Sequence, residues 1–142
     1  MESRLVEARA GRAFVGRLAH GSDLVAEIER FCAEQSVLTA WVSAIGAVQR
    51  AQYAYYEQGD HRYRELSTET HHEIVGFVGN ISLRDDRPFL HAHATFADAD
   101  GATVGGHLLP GIVVFACEVT ISEMLGVTLV RTPDAQTGLM LW

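Results

Sequence analysis

The segment from Pro88 to Pro110 constrains the fold more than any other part of the sequence, because its side chains alternate in character. It reads P-F-L-H-A-H-A-T-F-A-D-A-D-G-A-T-V-G-G-H-L-L-P. In a β-strand, successive side chains point to opposite faces. The alternation predicts a strand that packs one apolar face on a core and presents two imidazoles on the other. The apolar face would carry Leu90, Ala92, Ala94 and Phe96, and the other face Phe89, His91, His93 and Thr95.

A turn signal, Asp-Ala-Asp-Gly at residues 98–101, follows this strand. A three-residue hairpin loop usually ends with a glycine in the left-handed conformation. If the last three of these residues form such a loop, His93 lies directly opposite His107, on the same face as His91. A two-residue loop would instead pair Ala94 with His107 and turn that histidine to the other face. A bulge at the two glycines before His107 would also re-aim it.

Three neutral imidazoles at one point are a ligand set for a divalent metal, with Zn²⁺ as the default. We therefore predict a metal site formed by His91, His93 and His107. With three protein ligands, a fourth position would stay open for water or a small molecule. The alternative is that these side chains are structural histidines of a strand or part of a solvated face.

The chain of 142 residues is long enough for one domain with its own core, which we expect to span residues 1–142. No apolar run reaches the ~18 residues that a membrane helix needs. The first five residues, M-E-S-R-L, lack the pattern of a signal peptide. Cys32 and Cys117 lie in apolar segments without close spacing, so we expect two buried thiols and no disulfide. These features predict a cytoplasmic protein without a membrane partner.

The charge balance disfavours a monomeric nucleic-acid binder. Eighteen acidic residues against eleven basic ones give a net charge of −7, and every basic residue is an arginine. Non-specific DNA affinity comes mostly from Lys and Arg that neutralise phosphates. A basic patch on one face of an oligomer stays open, because net charge says nothing about distribution.

Hydrophobic periodicity predicts one helix followed by many strands. Leu24, Ile28, Phe31 and Cys32 form one apolar stripe in a helix from Asp23 to Glu34, for which Ser22 is the expected N-cap. The order of elements favours an α+β fold, a mostly antiparallel sheet with this helix packed on it. Strands are predicted at residues 12–18, 39–48, 49–57, 62–66, 72–83, 88–97, 102–108, 112–121, 127–131 and 139–141, with a turn at 132–134.

Several motifs, in order, resemble the plants-and-prokaryotes conserved (PPC) domain family over nearly the whole chain. They are G-R-L-A-H-G-S-D-L at 16–24, S-A-I-G-A-V at 43–48, E-I-V-G-F-V-G-N-I-S at 73–82, P-F-L-H-A-H-A-T at 88–95 and G-G-H-L at 105–108. Tyr55-Tyr56, Glu118, Arg131 and Thr137-Gly138-Leu139 also fit. The resemblance implies a curved antiparallel sheet, one main helix and assembly as a homotrimer.

The resemblance also implies a DNA-binding description, which comes from plant relatives with AT-hook segments. An AT-hook needs an Arg-Gly-Arg-Pro core, and this sequence has only Ala-Gly-Arg-Ala at residues 10–13. The fold is similar to that of acetolactate decarboxylase and of a zinc-dependent ester hydrolase group, which bind metal through clustered histidines. This similarity is a fold-level analogy that favours the metal hypothesis.

Two functions follow as alternatives, and the sequence leaves open whether the chain is an enzyme. One is a metal protein acting on a small carbonyl compound. Glu73 and Glu118 are the candidate acids or bases, because each is a carboxylate inside an apolar strand, where burial would raise its pKa. Either carboxylate could instead orient a histidine ligand or pair with an arginine across a subunit interface. The other function is a regulatory module that contacts DNA or another protein.

Residues outside the hairpin receive structural interpretations. We expect the remaining histidines, at positions 20, 61, 71 and 72, to be exposed polar residues. Three tyrosines at 53, 55 and 56 suit a surface between subunits, since tyrosine is enriched at interfaces.

Overall fold

In the computed structural model, which describes residues 3–142, the chain is mostly β-strand with one short helix. The predicted α+β fold is confirmed. Met1 and Glu2, which begin the segment compared with a signal peptide, lie outside the described residues. No helix within residues 3–142 is long and apolar enough to cross a membrane. The elements are β1 (Arg9–Leu18), α1 (Leu24–Glu34), β2 (Ala40–Glu57), β3 (Arg62–Thr68), β4 (His72–Arg84), β5 (Arg87–Ala97), β6 (Thr103–Leu108), β7 (Val113–Leu125), β8 (Thr132–Pro133) and β9 (Met140–Leu141).

Seven of these strands form one antiparallel sheet in the order β1-β7-β2-β4-β5-β6, with β3 paired to β2. The segments predicted as two strands at 39–48 and 49–57 are one strand, β2, of 18 residues. Its first half pairs with β7 and β4, and its second half with β3 and β6. Ala54 of β2 pairs with His107 of β6, so β2, β4, β5 and β6 close on themselves. This closure accounts for the predicted curvature, because strands that meet around a ring must bend and tilt.

The helix begins one residue later than predicted, because Asp23 and not Ser22 is its N-cap. The carboxylate of Asp23 accepts hydrogen bonds from the N–H groups of Val25 and Ala26 at 2.9 and 3.1 Å. The hydroxyl of Ser22 instead donates to a carbonyl of the preceding turn. The apolar stripe of the helix is buried through Leu24, Val25, Ile28 and Cys32.

The helix covers one face of the curved sheet. The carboxylate of Glu29 accepts a hydrogen bond of 2.9 Å from the N–H of Leu90, which ties α1 to β5. The apolar set predicted for β5 is buried beneath it: Leu90, Ala92, Ala94 and Phe96. The other face of the sheet has no helix on it among the described residues, and its exposed apolar side chains include Val15, Trp41, Ile45 and Val78.

The C-terminal segment differs from its prediction. Residues 127–131 form no strand of their own, and only Val130 makes an isolated bridge, to Leu83. The predicted turn at Thr132-Pro133 is instead the short strand β8, which pairs with β9. The reason is tertiary, because the N–H of Arg131 donates to the carbonyl of Leu83 at 2.8 Å and fastens this segment beside β4.

Candidate metal centre

The histidine hairpin has the predicted three-residue loop. The N–H of Asp98 donates to the carbonyl of Ala102 at 3.0 Å, and Gly101 has a φ of +80°, in the left-handed region. One carboxylate oxygen of Asp98 also accepts from the N–H groups of Asp100 and Ala102, both at 2.9 Å. The loop is therefore closed by its own sequence, through the turn chemistry of aspartate and glycine.

This loop gives β5 and β6 the predicted register, with His93 directly opposite His107. The pairing runs without a bulge to Ala97 and Thr103, so the two glycines before His107 do not re-aim it. They allow close approach instead, because a Cβ on Gly105 would overlap the carbonyl oxygen of Ala94. The hairpin thus places both histidines on the face that the helix leaves uncovered.

The three imidazoles converge on one point. Their ring centroids are 5.2 Å apart for His91 and His93, 5.1 Å for His91 and His107, and 5.5 Å for His93 and His107. One nitrogen of each ring lies within 4.8 Å of the corresponding nitrogens of the other two. The cluster could therefore hold a metal ion with three imidazole ligands.

The local environment keeps two of these rings in the form that binds metal. Burial, with a smaller effect of the nearby Arg131 charge, lowers the pKa of His91 to about 4. Burial, with smaller effects of the neighbouring histidines and of Arg131, lowers the pKa of His107 to about 4. Both rings are therefore neutral at pH 7 and have a lone pair for coordination. Among residues 3–142, the buried Nδ1 atom of His107 has no hydrogen-bond partner, which fits a nitrogen that awaits a ligand.

A cleft of about 310 Å³ adjoins the cluster. Tyr63 of β3 stacks on His107, with ring centroids 4.8 Å apart and an interplanar angle of 26°. Tyr56 packs beside Tyr63, and its hydroxyl donates to the carbonyl of Thr137 at 2.7 Å, which holds the C-terminal segment over the cleft. Strands β3 and β9 therefore form the sides of a site whose floor is the histidine hairpin.

The family model of the Plants and Prokaryotes Conserved domain (abbreviated PCC or PPC) matches residues 5–125. This chain belongs to the PPC domain family. Two solved structures that share the fold are a metal-containing protein from Archaeoglobus fulgidus, 40% identical, and a PPC protein from Pyrococcus horikoshii, 29% identical. Their TM-scores are 0.94 and 0.93, and each alignment covers 99% of this chain, with 99% and 96% of the other chain.

Further matches of the PPC chain extend the comparison. Two bifunctional GlmU proteins from Synechococcus are 33% and 36% identical over 129 and 125 residues, which is 89% and 86% of this chain. The chain spans only about a fifth of their length, 20% and 18%. Alpha-acetolactate decarboxylase from Bacillus subtilis shares the fold at a TM-score of 0.59 and 15% identity, over 89% of this chain and 58% of that one.

The two carboxylates predicted as candidate acids or bases of this PPC chain lie away from the cluster. Glu73 pairs with Ala97 at the loop end of β5, and Glu118 pairs with Ile45 and Arg17. Both side chains are exposed, and neither lines the histidine cleft. The prediction that these two carboxylates are buried in their strands is wrong, because both residues point to the face that the helix does not cover.

Two other predictions are corrected by the packing. His72 was expected to be exposed, but it is 7% exposed and its Nδ1 lies 2.8 Å from the carbonyl oxygen of Thr70. Tyr53 was expected at a subunit surface, but it is 6% exposed and packs against Phe96 in the core.

The sequence interpretation missed two side chains of the site, Tyr63 and Arg131. Arg131 was noted only as part of the family resemblance, and Tyr63 only as part of the predicted strand at 62–66. The sequence does hold one signal for Arg131, which ends the apolar segment at 127–131. An arginine buried in such a segment needs polar partners, which points to a site around it. Nothing local in the sequence placed either residue beside His107.

Proposed function

We propose that this PPC chain binds one divalent metal ion, with Zn²⁺ as the default, through His91, His93 and His107. The observation that carries the proposal is the convergence of three ring nitrogens within 4.8 Å of one another. Two of the rings are half-buried and held neutral, and nitrogen ligands of this kind suit Zn²⁺. The metal-containing Archaeoglobus relative, 40% identical over nearly the whole chain, adds support.

We further propose that the site acts on a small carbonyl compound. A bound metal with three protein ligands would supply an open position that polarises a carbonyl or activates water. The chain contributes the cleft beside the cluster, where Tyr63 and the C-terminal segment restrict the access of water. The shared fold of acetolactate decarboxylase supports this chemistry only by analogy.

The proposed assembly is a homotrimer, and the uncovered face of the sheet supports an association of this kind. Val15, Ile45 and Val78 on that face are 83%, 62% and 47% exposed. Contiguous exposed apolar surface on a small chain commonly marks a contact with another protein. Both cysteines are free, buried thiols, which agrees with the cytoplasm as the proposed location.

The test is elemental analysis of the purified protein together with its mass in solution. We expect about one metal ion per chain in the wild type, as the three-ligand set implies, and loss of metal in His93→Ala. His93 is the most exposed member of the cluster, so its removal should leave the fold intact. The matched control is His71→Ala, an exposed histidine outside the cluster, which should keep its metal.

The outcomes separate the two hypotheses from the sequence. Metal in the wild type and in His71→Ala, but not in His93→Ala, supports the site and justifies a screen of carbonyl substrates. Absence of metal from well-folded wild type, even after incubation with Zn²⁺, overturns the proposal. A salt-dependent shift of duplex DNA by such a protein would then favour the DNA-contacting module.

A further inference from the structure

Arg131 is a buried cation for which residues 3–142 supply no acidic partner. Its side chain is 7% exposed, and its guanidinium donates to Ser82 Oγ at 2.7 Å, the carbonyl of Met140 at 2.9 Å and Asn80 Oδ1 at 3.1 Å. All three acceptors are uncharged. Within residues 3–142, no carboxylate lies within ion-pair distance of this group.

Such an arrangement is costly unless a counter-charge is supplied from outside the chain. A buried charge is normally paired, because hydrogen bonds to neutral groups replace only part of its hydration. A guanidinium has five N–H donors in a fixed fork, and three of those of Arg131 are engaged. Two donors, one on each terminal nitrogen, remain for an acceptor.

Arg131 lies at the cleft beside the histidines. Arg131 lines the cleft together with His91 and His107. Asn80, which accepts from Arg131, is the direct strand partner of His91. The cation is therefore one side chain away from the proposed metal position.

The rest of the cleft indicates the size and charge of what binds there. Its volume of about 310 Å³ is at the lower end for small-molecule sites, and its walls include Phe89, Leu139, Met140 and Leu141. The second arginine, Arg84, is half-exposed, and its Nε lies 4.0 Å from a carboxylate oxygen of Asp85. Within residues 3–142, the side chains at the cleft thus leave one buried positive charge unbalanced, and one negative charge on a small ligand would match it.

We propose that Arg131 binds the carboxylate of a small monocarboxylic acid in this cleft. A 2-oxo or 2-hydroxy acid with a short apolar chain fits best, because its second oxygen can reach the open metal position while the chain contacts Phe89 and Leu139. The carboxylate would accept two charge-assisted hydrogen bonds, one from each remaining N–H group of Arg131. This substrate class rests on the proposed metal function, but the contact between arginine and carboxylate does not.

The test is calorimetric titration of the Zn²⁺-loaded protein with pyruvate and with lactate. We expect binding to the wild type, and binding weaker by at least about tenfold in Arg131→Met, since a charge-assisted hydrogen bond is lost. Arg50→Met is the matched control, because it removes an equally positive side chain that is exposed and paired with Glu69 outside the cleft. Its affinity should equal that of the wild type.

A second variant protects the test against misfolding, because Arg131 also fastens the C-terminal segment. Leu139→Trp keeps the guanidinium and its three acceptors but fills the cleft, so it should also lose pyruvate binding. Equal affinity for pyruvate in the wild type, Arg131→Met and Leu139→Trp would overturn the proposal. So would tighter binding of inorganic phosphate than of acetate to the metal-free protein, which would indicate a site for a dianion.

Titration of metal-free protein with acetate separates this inference from the metal proposal. Acetate binding that depends on Arg131 supports the carboxylate contact even if elemental analysis finds no metal. Metal binding at the histidines without any carboxylate binding would sink this inference and leave the metal proposal standing.

Discussion

Replacing Gly105 by alanine should damage both the stability of the chain and its metal site. Gly105 lies two residues before His107 and pairs with Thr95 across the hairpin. An added Cβ would overlap the carbonyl oxygen of Ala94 and lie 3.0 Å from the Cα of Thr95. Both contacts are with backbone, so β5 and β6 must move apart, which displaces His107 from His93.

The expected magnitude comes from two opposing effects. Overpacking of a well-packed position costs about 1–3 kcal/mol, and replacing a strand glycine by alanine returns up to about 1 kcal/mol by restricting the unfolded chain. The net loss in the free energy of unfolding should be about 1–2 kcal/mol, or about 3 to 8 °C in melting temperature for a chain of this length.

Urea unfolding at equal protein concentration, followed by circular dichroism, measures the loss of stability, and elemental analysis measures the bound metal. The control is Gly16→Ala in β1, where an added Cβ meets no atom within 4 Å. That variant should equal or exceed the wild type in stability and retain its metal. If Gly105→Ala unfolds at the same urea concentration as Gly16→Ala and binds metal equally well, the hairpin geometry described above is incorrect.

Two further predictions concern titratable groups outside the cluster. Hydrogen bonds from the Arg12 side chain hold the pKa of Glu123 at about 2, below its ordinary value of 4.5. The stabilisation from this pair is therefore present above pH 4.5 and is lost as the pH falls towards 2. In urea unfolding, Glu123→Gln should have a lower free energy of unfolding than the wild type at pH 7. This difference between the two proteins should close below pH 4. A gap independent of pH would contradict this assignment. Burial raises the pKa of Cys32 to about 12 and of Cys117 to about 11. A thiol reagent such as DTNB at pH 8 should therefore label neither residue in the native chain and both in denaturant. Rapid labelling of the native chain would show that the core around α1 opens readily.

The sequence predicted the hairpin well because its information is local. The alternation in residues 88–97 assigns faces, and the Asp-Ala-Asp-Gly loop selects a register through a single left-handed glycine. The helix was also predicted to within one residue, since its apolar stripe and cap lie in neighbouring positions. Ser22 was mistaken for the N-cap because both it and Asp23 are good capping residues, and only the position of the following turn decides between them.

Predictions that depended on burial were less successful. Glu73 and Glu118 lie in apolar strands, but strands have two faces, and here the second face is not covered by the helix. Tyr53 was assigned to a subunit surface because tyrosine is enriched at interfaces, and His72 to the solvent because it is polar. Both are buried, Tyr53 against Phe96 of β5 and His72 beside the turn before β4. A sequence pattern gives the alternation of faces but not which layer covers each one.

The sequence by itself determined that His91 and His93 share a face, and that His107 joins them if the loop has three residues, because the strand period and the turn chemistry act over about twenty residues. Only the tertiary structure decided what surrounds them. The closure of β2 onto β6 brings Tyr63 of β3 over His107. The backbone hydrogen bond between Arg131 and Leu83 brings Arg131 to the same cleft, although it lies forty residues after His91 in the sequence. Long-range pairing of this kind depends on the packing of the whole sheet, which no local pattern of residues specifies.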